Sequence, residues 1–96
     1  MANIRDLKKD IDYLVYEVIS DCFIAMSAHQ EEKVSDQLSE IVADAVKLRN
    51  ELFSRVRYRG DREKPGNVRE YYRNLRIKLI TDIDDLFKRI SKVVSD

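Results

Sequence analysis

The stretch from Tyr58 to Gly66 constrains the fold more than any other, because it holds the only proline and both glycines of the 96-residue chain. Glycine and proline are the residues that most reliably interrupt a helix. Their near absence elsewhere disfavours short strands joined by turns. We therefore predict helical structure on both sides of one firmly specified break.

Apolar residues recur at steps of three and four on both sides of that break, which is the spacing of an amphipathic helix. This periodicity predicts three helices, over about residues 3–27, 33–58 and 67–95. Long helices joined by short connections pack against one another in antiparallel order. The predicted fold class is all-α, an antiparallel up-down-up bundle of three long helices that forms a single domain over residues 1–96.

Polar residues at the predicted helix starts indicate where each helix is capped. Asn3 is a plausible cap of the first helix, and either Ser27 or Ser35 could cap the second. Asn67 followed by Glu70 resembles the reciprocal capping pattern that starts many helices. We predict that this pair begins the third helix.

Charge is distributed unevenly along the chain, although the totals of 18 basic and 18 acidic residues cancel. Residues 47–78 carry 11 basic and 4 acidic side chains, whereas residues 1–46 carry 4 basic and 10 acidic ones. Folding into a bundle gathers the positive charge at one end and leaves the opposite end acidic.

The basic end combines arginine, whose planar guanidinium suits phosphate, with tyrosine, whose ring can stack on a base. This combination fits a nucleic-acid backbone or an acidic partner protein, and it also fits a solvated, mixed-sign helical hairpin. The candidate partner or phosphate contacts are Arg55, Arg57, Tyr58, Arg59, Arg62, Arg69, Tyr72 and Arg73.

The first helix is more apolar than one buried face requires. Tyr13 and Ile24 lie nearly opposite its main apolar stripe, and Tyr16 and Phe23 lie on the flank. A helix of this kind is usually covered by more than one neighbour. These four residues are the candidate contacts of a homodimer.

Arg49 and Arg76 point toward the core side of their helices, where a charge needs a partner. Asp10 and Asp12 should lie at a similar height along the bundle. We expect a layer of ion pairs at the edge of the core. An anion site built by the two arginines is the alternative.

Cys22 and His29 are the only cysteine and the only histidine, so neither a catalytic triad nor a soft-ligand metal site can be assembled from this sequence. No catalytic residue, metal or cofactor is predicted. A single cysteine, the lack of a signal-peptide pattern and the lack of a long apolar run lead us to expect a cytoplasmic protein.

The opening segment from Ile4 to Leu14 (IRDLKKDIDYL) resembles the start of small uncharacterised helical proteins of Bacteroidetes-type bacteria. The resemblance implies a bacterial source and no particular activity. The function we expect is a non-catalytic protein-protein interaction or structural module. Nucleic-acid backbone binding by the basic end is the alternative.

Overall fold

A computed structural model describes the backbone of residues 4–58 and 65–95, and the side chains of residues 5–56 and 69–95. Within these ranges the chain is helical except for the connection at residues 29–31. The predicted all-α fold is confirmed.

The three helices are α1 (Ile4–Ala28), α2 (Glu32–Tyr58) and α3 (Pro65–Ser95). Because α3 begins two residues before Asn67, that residue lies inside the first turn and does not cap the helix. Proline suits the first helical position, since its φ is preset and its missing N–H would have no partner within the helix. Asn3 and the side chain of Asn67 lie outside the described residues.

The start of α2 also differs from the expected caps at Ser27 and Ser35. The Ser35 amide donates to the Glu31 carbonyl at 3.0 Å. Glu31 is therefore the N-cap residue that directly precedes α2. Ser27 remains within α1, and the His29 amide still donates to the Ala25 carbonyl at 2.9 Å. The connection is therefore short and tight.

Contacts between the helices define their directions. Tyr71 at the start of α3 bonds to Arg55 near the end of α2, whereas Arg89 near the end of α3 pairs with Asp44 in the middle of α2. These two helices are therefore antiparallel. The short connection makes α1 and α2 antiparallel as well.

It follows that α1 and α3 run in parallel, because α2 is antiparallel to both of them. Arg76 of α3 pairs with Asp10 of α1 near the start of both helices. The resulting up-down-up bundle is a rod of 52 × 17 × 17 Å.

One apolar stripe from each helix builds the core. Every side chain that is buried among the described residues is apolar, and the largest fully buried ones come from all three helices. No described helix combines the length and apolar character that crossing a bilayer requires. The core residues are Leu7, Ile11, Val15, Val18, Cys22, Leu38, Ile41, Ala45, Leu48, Leu52, Val56, Leu75, Leu79, Ile83, Leu86 and Ile90.

Two valines near the middle of their helices test this core. Val18 is 0% exposed and Val46 is 42% exposed. Val18→Ala should lower the free energy of unfolding by about 1–3 kcal/mol, because it removes buried methyl groups and leaves a cavity. Val46→Ala should change it by less than about 0.5 kcal/mol. Urea denaturation followed by circular dichroism measures both, and equal losses would contradict the assigned burial.

Cys22 provides a second test because its thiol is fully buried and burial raises its pKa, with a smaller contribution from neighbouring Asp21. The thiolate is the species that attacks a disulfide reagent, so both effects protect the native residue. We expect reaction with a disulfide reagent at pH 8 to be at least about 100-fold slower than in urea, since it requires the bundle to open. Fast labelling without denaturant would contradict this packing.

Candidate functional site

The outward face of α1 carries an apolar surface that the bundle does not cover. Tyr13, Tyr16, Phe23 and Ile24 are 64%, 67%, 57% and 65% exposed. They lie on the side of α1 away from the core. The four candidate dimer contacts thus share one continuous face, which we call the α1 face.

The α1 face has a shallow groove of about 440 Å³ in its middle. Ser20 and Ser27 produce it, because their short side chains stand between bulkier ones on the same face. The groove is lined by Tyr16, Ile19, Ser20, Phe23, Ile24 and Ser27.

The two groove serines were not anticipated from the sequence, although their spacing contains the signal. Tyr13, Tyr16, Ser20, Phe23 and Ser27 follow one another at steps of three, four, three and four. This is the seam repeat of a coiled coil. The α1 face therefore has the pattern of a helix that packs along another helix.

The apolar surface extends from α1 onto α2. Asp12 pairs with Arg49 across these helices, and this pair fixes their relative height. Tyr16 lies one turn beyond Asp12, and Val46 lies one turn beyond Arg49 in the same direction. Val46 is 42% exposed. It therefore borders the α1 face at the height of Tyr16.

The expected charged layer consists of two ion pairs between helices. The Arg49 Nε donates to the Asp12 Oδ1 at 2.6 Å, and the Arg76 Nη1 donates to the Asp10 Oδ2. All four side chains are between 34% and 53% exposed, so they lie at the edge of the core. Each guanidinium already holds a carboxylate, and an anion would have to compete with it.

Arg49 has a second role through the ring of Phe53. Its guanidinium carbon lies 4.3 Å from the ring centroid, within cation-π range. The side chain therefore connects α1 to α2 by charge and also covers apolar surface.

A third ion pair was not anticipated from the sequence. The Arg89 Nη1 donates to the Asp44 Oδ2 at 2.8 Å and connects α3 to α2. Each of these residues directly precedes a buried one, Ile90 and Ala45, which places both at the flank of the core. Each of the three helix interfaces thus has an ion pair of its own.

Two tyrosines at the start of α3 form hydrogen bonds to the end of α2. The Tyr71 hydroxyl donates to the Arg55 carbonyl at 2.7 Å, and the Tyr72 hydroxyl donates to the Val56 carbonyl at 3.4 Å. The two rings pack edge to face with centroids 5.6 Å apart. Tyr72, a candidate partner contact, is half-buried against the core and is used in this packing.

The candidate arginines of the basic end differ in their surroundings. Arg55 pairs with Glu51 at 2.9 Å, one helical turn away. Arg69 and Arg73 are exposed, and neither pairs with a carboxylate among the described side chains. The remaining candidates, Arg57, Tyr58, Arg59 and Arg62, lie outside the described side chains.

The start of α1 adds charge to the basic end that sequence analysis did not single out. Arg5, Lys8 and Lys9 line a depression of about 480 Å³ together with Asp12 and Phe53. Because α1 and α3 run in parallel, these cations lie at the same end of the rod as Arg69 and Arg73.

No cluster of three or more metal-ligating side chains occurs in the part of the chain that the structure describes. Asp82 binds Lys78 at 2.8 Å, and Asp84 binds Lys88 at 3.1 Å. These carboxylates therefore form ordinary ion pairs along one helix.

The Asp12–Arg49 pair should stabilise the fold only modestly, because half-exposed ion pairs contribute about 0.2–1 kcal/mol. A double-mutant cycle with Asp12→Asn and Arg49→Met should give a coupling energy in that range. Arg49→Ala should cost more than Arg49→Met, since methionine keeps an apolar stem over Phe53. Thermal unfolding measures each variant, and equal effects of the alanine and methionine variants would contradict the packing role.

Comparison of the chain with protein-family models, with curated proteins and with solved structures finds no significant match.

Proposed function

We propose that this chain is a small non-catalytic protein-protein interaction module that forms a homodimer through the α1 face. The observation that supports the proposal is the exposure of four large apolar side chains, Tyr13, Tyr16, Phe23 and Ile24, on one side of one helix. Single exposed apolar residues are common on protein surfaces. A contiguous apolar patch on a soluble fold, in contrast, marks an interaction site.

Burial of the four side chains gives the dimer an apolar driving force. They are half to two thirds exposed, and two subunits supply eight of them. Association itself has an opposing cost of similar size. We therefore expect a weak dimer, with a dissociation constant in the micromolar range.

Sedimentation equilibrium at tens of micromolar tests the dimer. The wild-type chain has a mass of 11.3 kDa, and we expect twice that value. Tyr16→Glu combined with Ile24→Glu should give monomers at the same concentration, because dimerisation would bury four unpaired carboxylates.

The matched control is Ile77→Glu combined with Ile80→Glu. These isoleucines of α3 are 56% and 58% exposed, as apolar as the α1 residues but on another helix. This variant should remain dimeric. A wild-type chain that sediments as a monomer would contradict the proposal, as would equal dissociation of the two variants.

A second candidate function, nucleic-acid backbone binding, is favoured by the exposed cations Arg69 and Arg73. They have no carboxylate partner among the described side chains and share their end of the rod with Arg5, Lys8 and Lys9. A cation without a carboxylate partner is free to contact a phosphate. The contact releases counterions from the nucleic acid, and this release favours binding.

A low-salt gel shift with single-stranded and double-stranded oligonucleotides tests this candidate. Arg69→Glu combined with Arg73→Glu should weaken binding and reduce the slope of log K against log salt by about 1.4–1.8, because two phosphate contacts are lost. Lys33→Glu combined with Lys92→Glu reverses the same charge at the opposite end and should leave binding intact. If wild type shows no shift at low salt, the basic end is not a nucleic-acid site.

A further inference from the structure

We infer that the second copy lies antiparallel on the α1 face, with the two-fold axis near the height of Val18. This inference rests on the proposed homodimer and specifies its geometry. Three features of the face lead to it: the coiled-coil seam, the serine groove and the opposite charges at the two ends of the seam.

The seam limits the geometry to helix-along-helix packing. Residues at alternating steps of three and four form one nearly straight line on a helix, so two such lines align at a shallow crossing angle. In an antiparallel pair, the first seam position of a heptad faces the fourth position of its partner. An axis at Val18 places Tyr13 against Phe23 of the second copy and Tyr16 against Ser20 of the second copy.

The groove makes this register sterically complementary. Ser20 and Ser27 leave a depression of about 440 Å³ between larger side chains. A tyrosine of the second copy can enter it as a knob enters a hole. The two-fold axis makes every contact occur twice, so Tyr16 of each subunit packs over Ser20 of the other.

The charges near the two ends of α1 favour an antiparallel over a parallel dimer. The exposed cations Arg5 and Lys9 lie on α1 before the apolar part, and the exposed carboxylates of Glu31 and Glu32 lie just beyond the end of α1, in the connection and at the first residue of α2. A parallel pair would place each group beside its own copy, so like charges would meet at both ends. The antiparallel pair places the basic start of α1 at the same end as the acidic connection of the second copy, twice. Complementary charge of this kind selects orientation more than it adds affinity.

Distance measurements between spin labels test the orientation directly. A label at Ala28→Cys should report a distance of about 30 Å between subunits, since 20 residues of helix separate the two labels along the axis at 1.5 Å each. In a parallel pair the same labels would lie within about 15 Å, roughly the width of two packed helices. Glu17→Cys lies beside the axis and should give a short distance in either orientation. Cys22 is fully buried, and unmodified protein provides the labelling background.

A charge-exchange series provides an independent test by sedimentation. Arg5→Glu with Lys9→Glu should raise the dissociation constant about tenfold, and Glu31→Lys with Glu32→Lys should do the same. The variant with all four changes should return to within about threefold of wild type, because the opposite charges meet again. In a parallel pair, each double variant would exchange one like-charge contact for another and leave the dissociation constant unchanged.

The outcomes distinguish this inference from the proposed function. A monomeric wild-type chain overturns both. A dimer that Tyr16→Glu with Ile24→Glu dissociates, but that shows a short Ala28 distance, overturns the antiparallel arrangement alone. A long Ala28 distance together with recovery in the four-residue variant supports both.

Discussion

The constraint on which the structure depends is that each helix of a three-helix bundle can bury only the arc facing its two neighbours. For α2 and α3, most of the apolar residues fit within that arc. For α1 they do not, because Tyr13, Tyr16, Phe23 and Ile24 continue around the helix and remain exposed. Within the part of the chain that the structure describes, no further element covers them. The uncovered face of α1 follows from composition and geometry together.

The ion pairs at the edge of the core favour one arrangement of the three helices around one another. An apolar core alone distinguishes poorly between a left-turning and a right-turning bundle. Asp10 and Asp12 lie on opposite flanks of α1 and hold Arg76 of α3 and Arg49 of α2. In the opposite-handed bundle, α2 would turn its Asp44 flank toward α1 at the height of Glu17. Like charges would then meet, which penalises the wrong topology.

The sequence was sufficient for the main features that depend on position within one helix, although the groove serines of α1 and the helix caps were not recognised. The glycines and proline located the break before α3, and the helical wheel indicated that Arg49 and Arg76 need partners. The α1 face was likewise recognised from Tyr13 and Ile24. Helix starts were less accurate by one or two residues, because proline at a first turn and a short connection after Ala28 compete with the expected caps.

Features that depend on the relative height of two helices were predicted only in part. The layer of Asp10 and Asp12 with Arg49 and Arg76 was expected, because these charges point toward the core side of their helices. Asp44 and Arg89 are 45 positions apart, and periodicity alone does not show that they meet. The role of Tyr72 also required the structure, because its hydroxyl bonds to a backbone carbonyl of another helix.

The two candidate surfaces overlap at Arg5 and Lys9, and the rest of each lies on a different part of the rod. Arg69 and Arg73 belong to α3, whereas the proposed dimer covers α1 along its outward face. In an antiparallel pair, the Arg5 and Lys9 cations are used by the second copy, and the α3 arginines stay exposed at opposite ends of the assembly. A polyanion that bound there would therefore meet two separate basic ends, one per subunit.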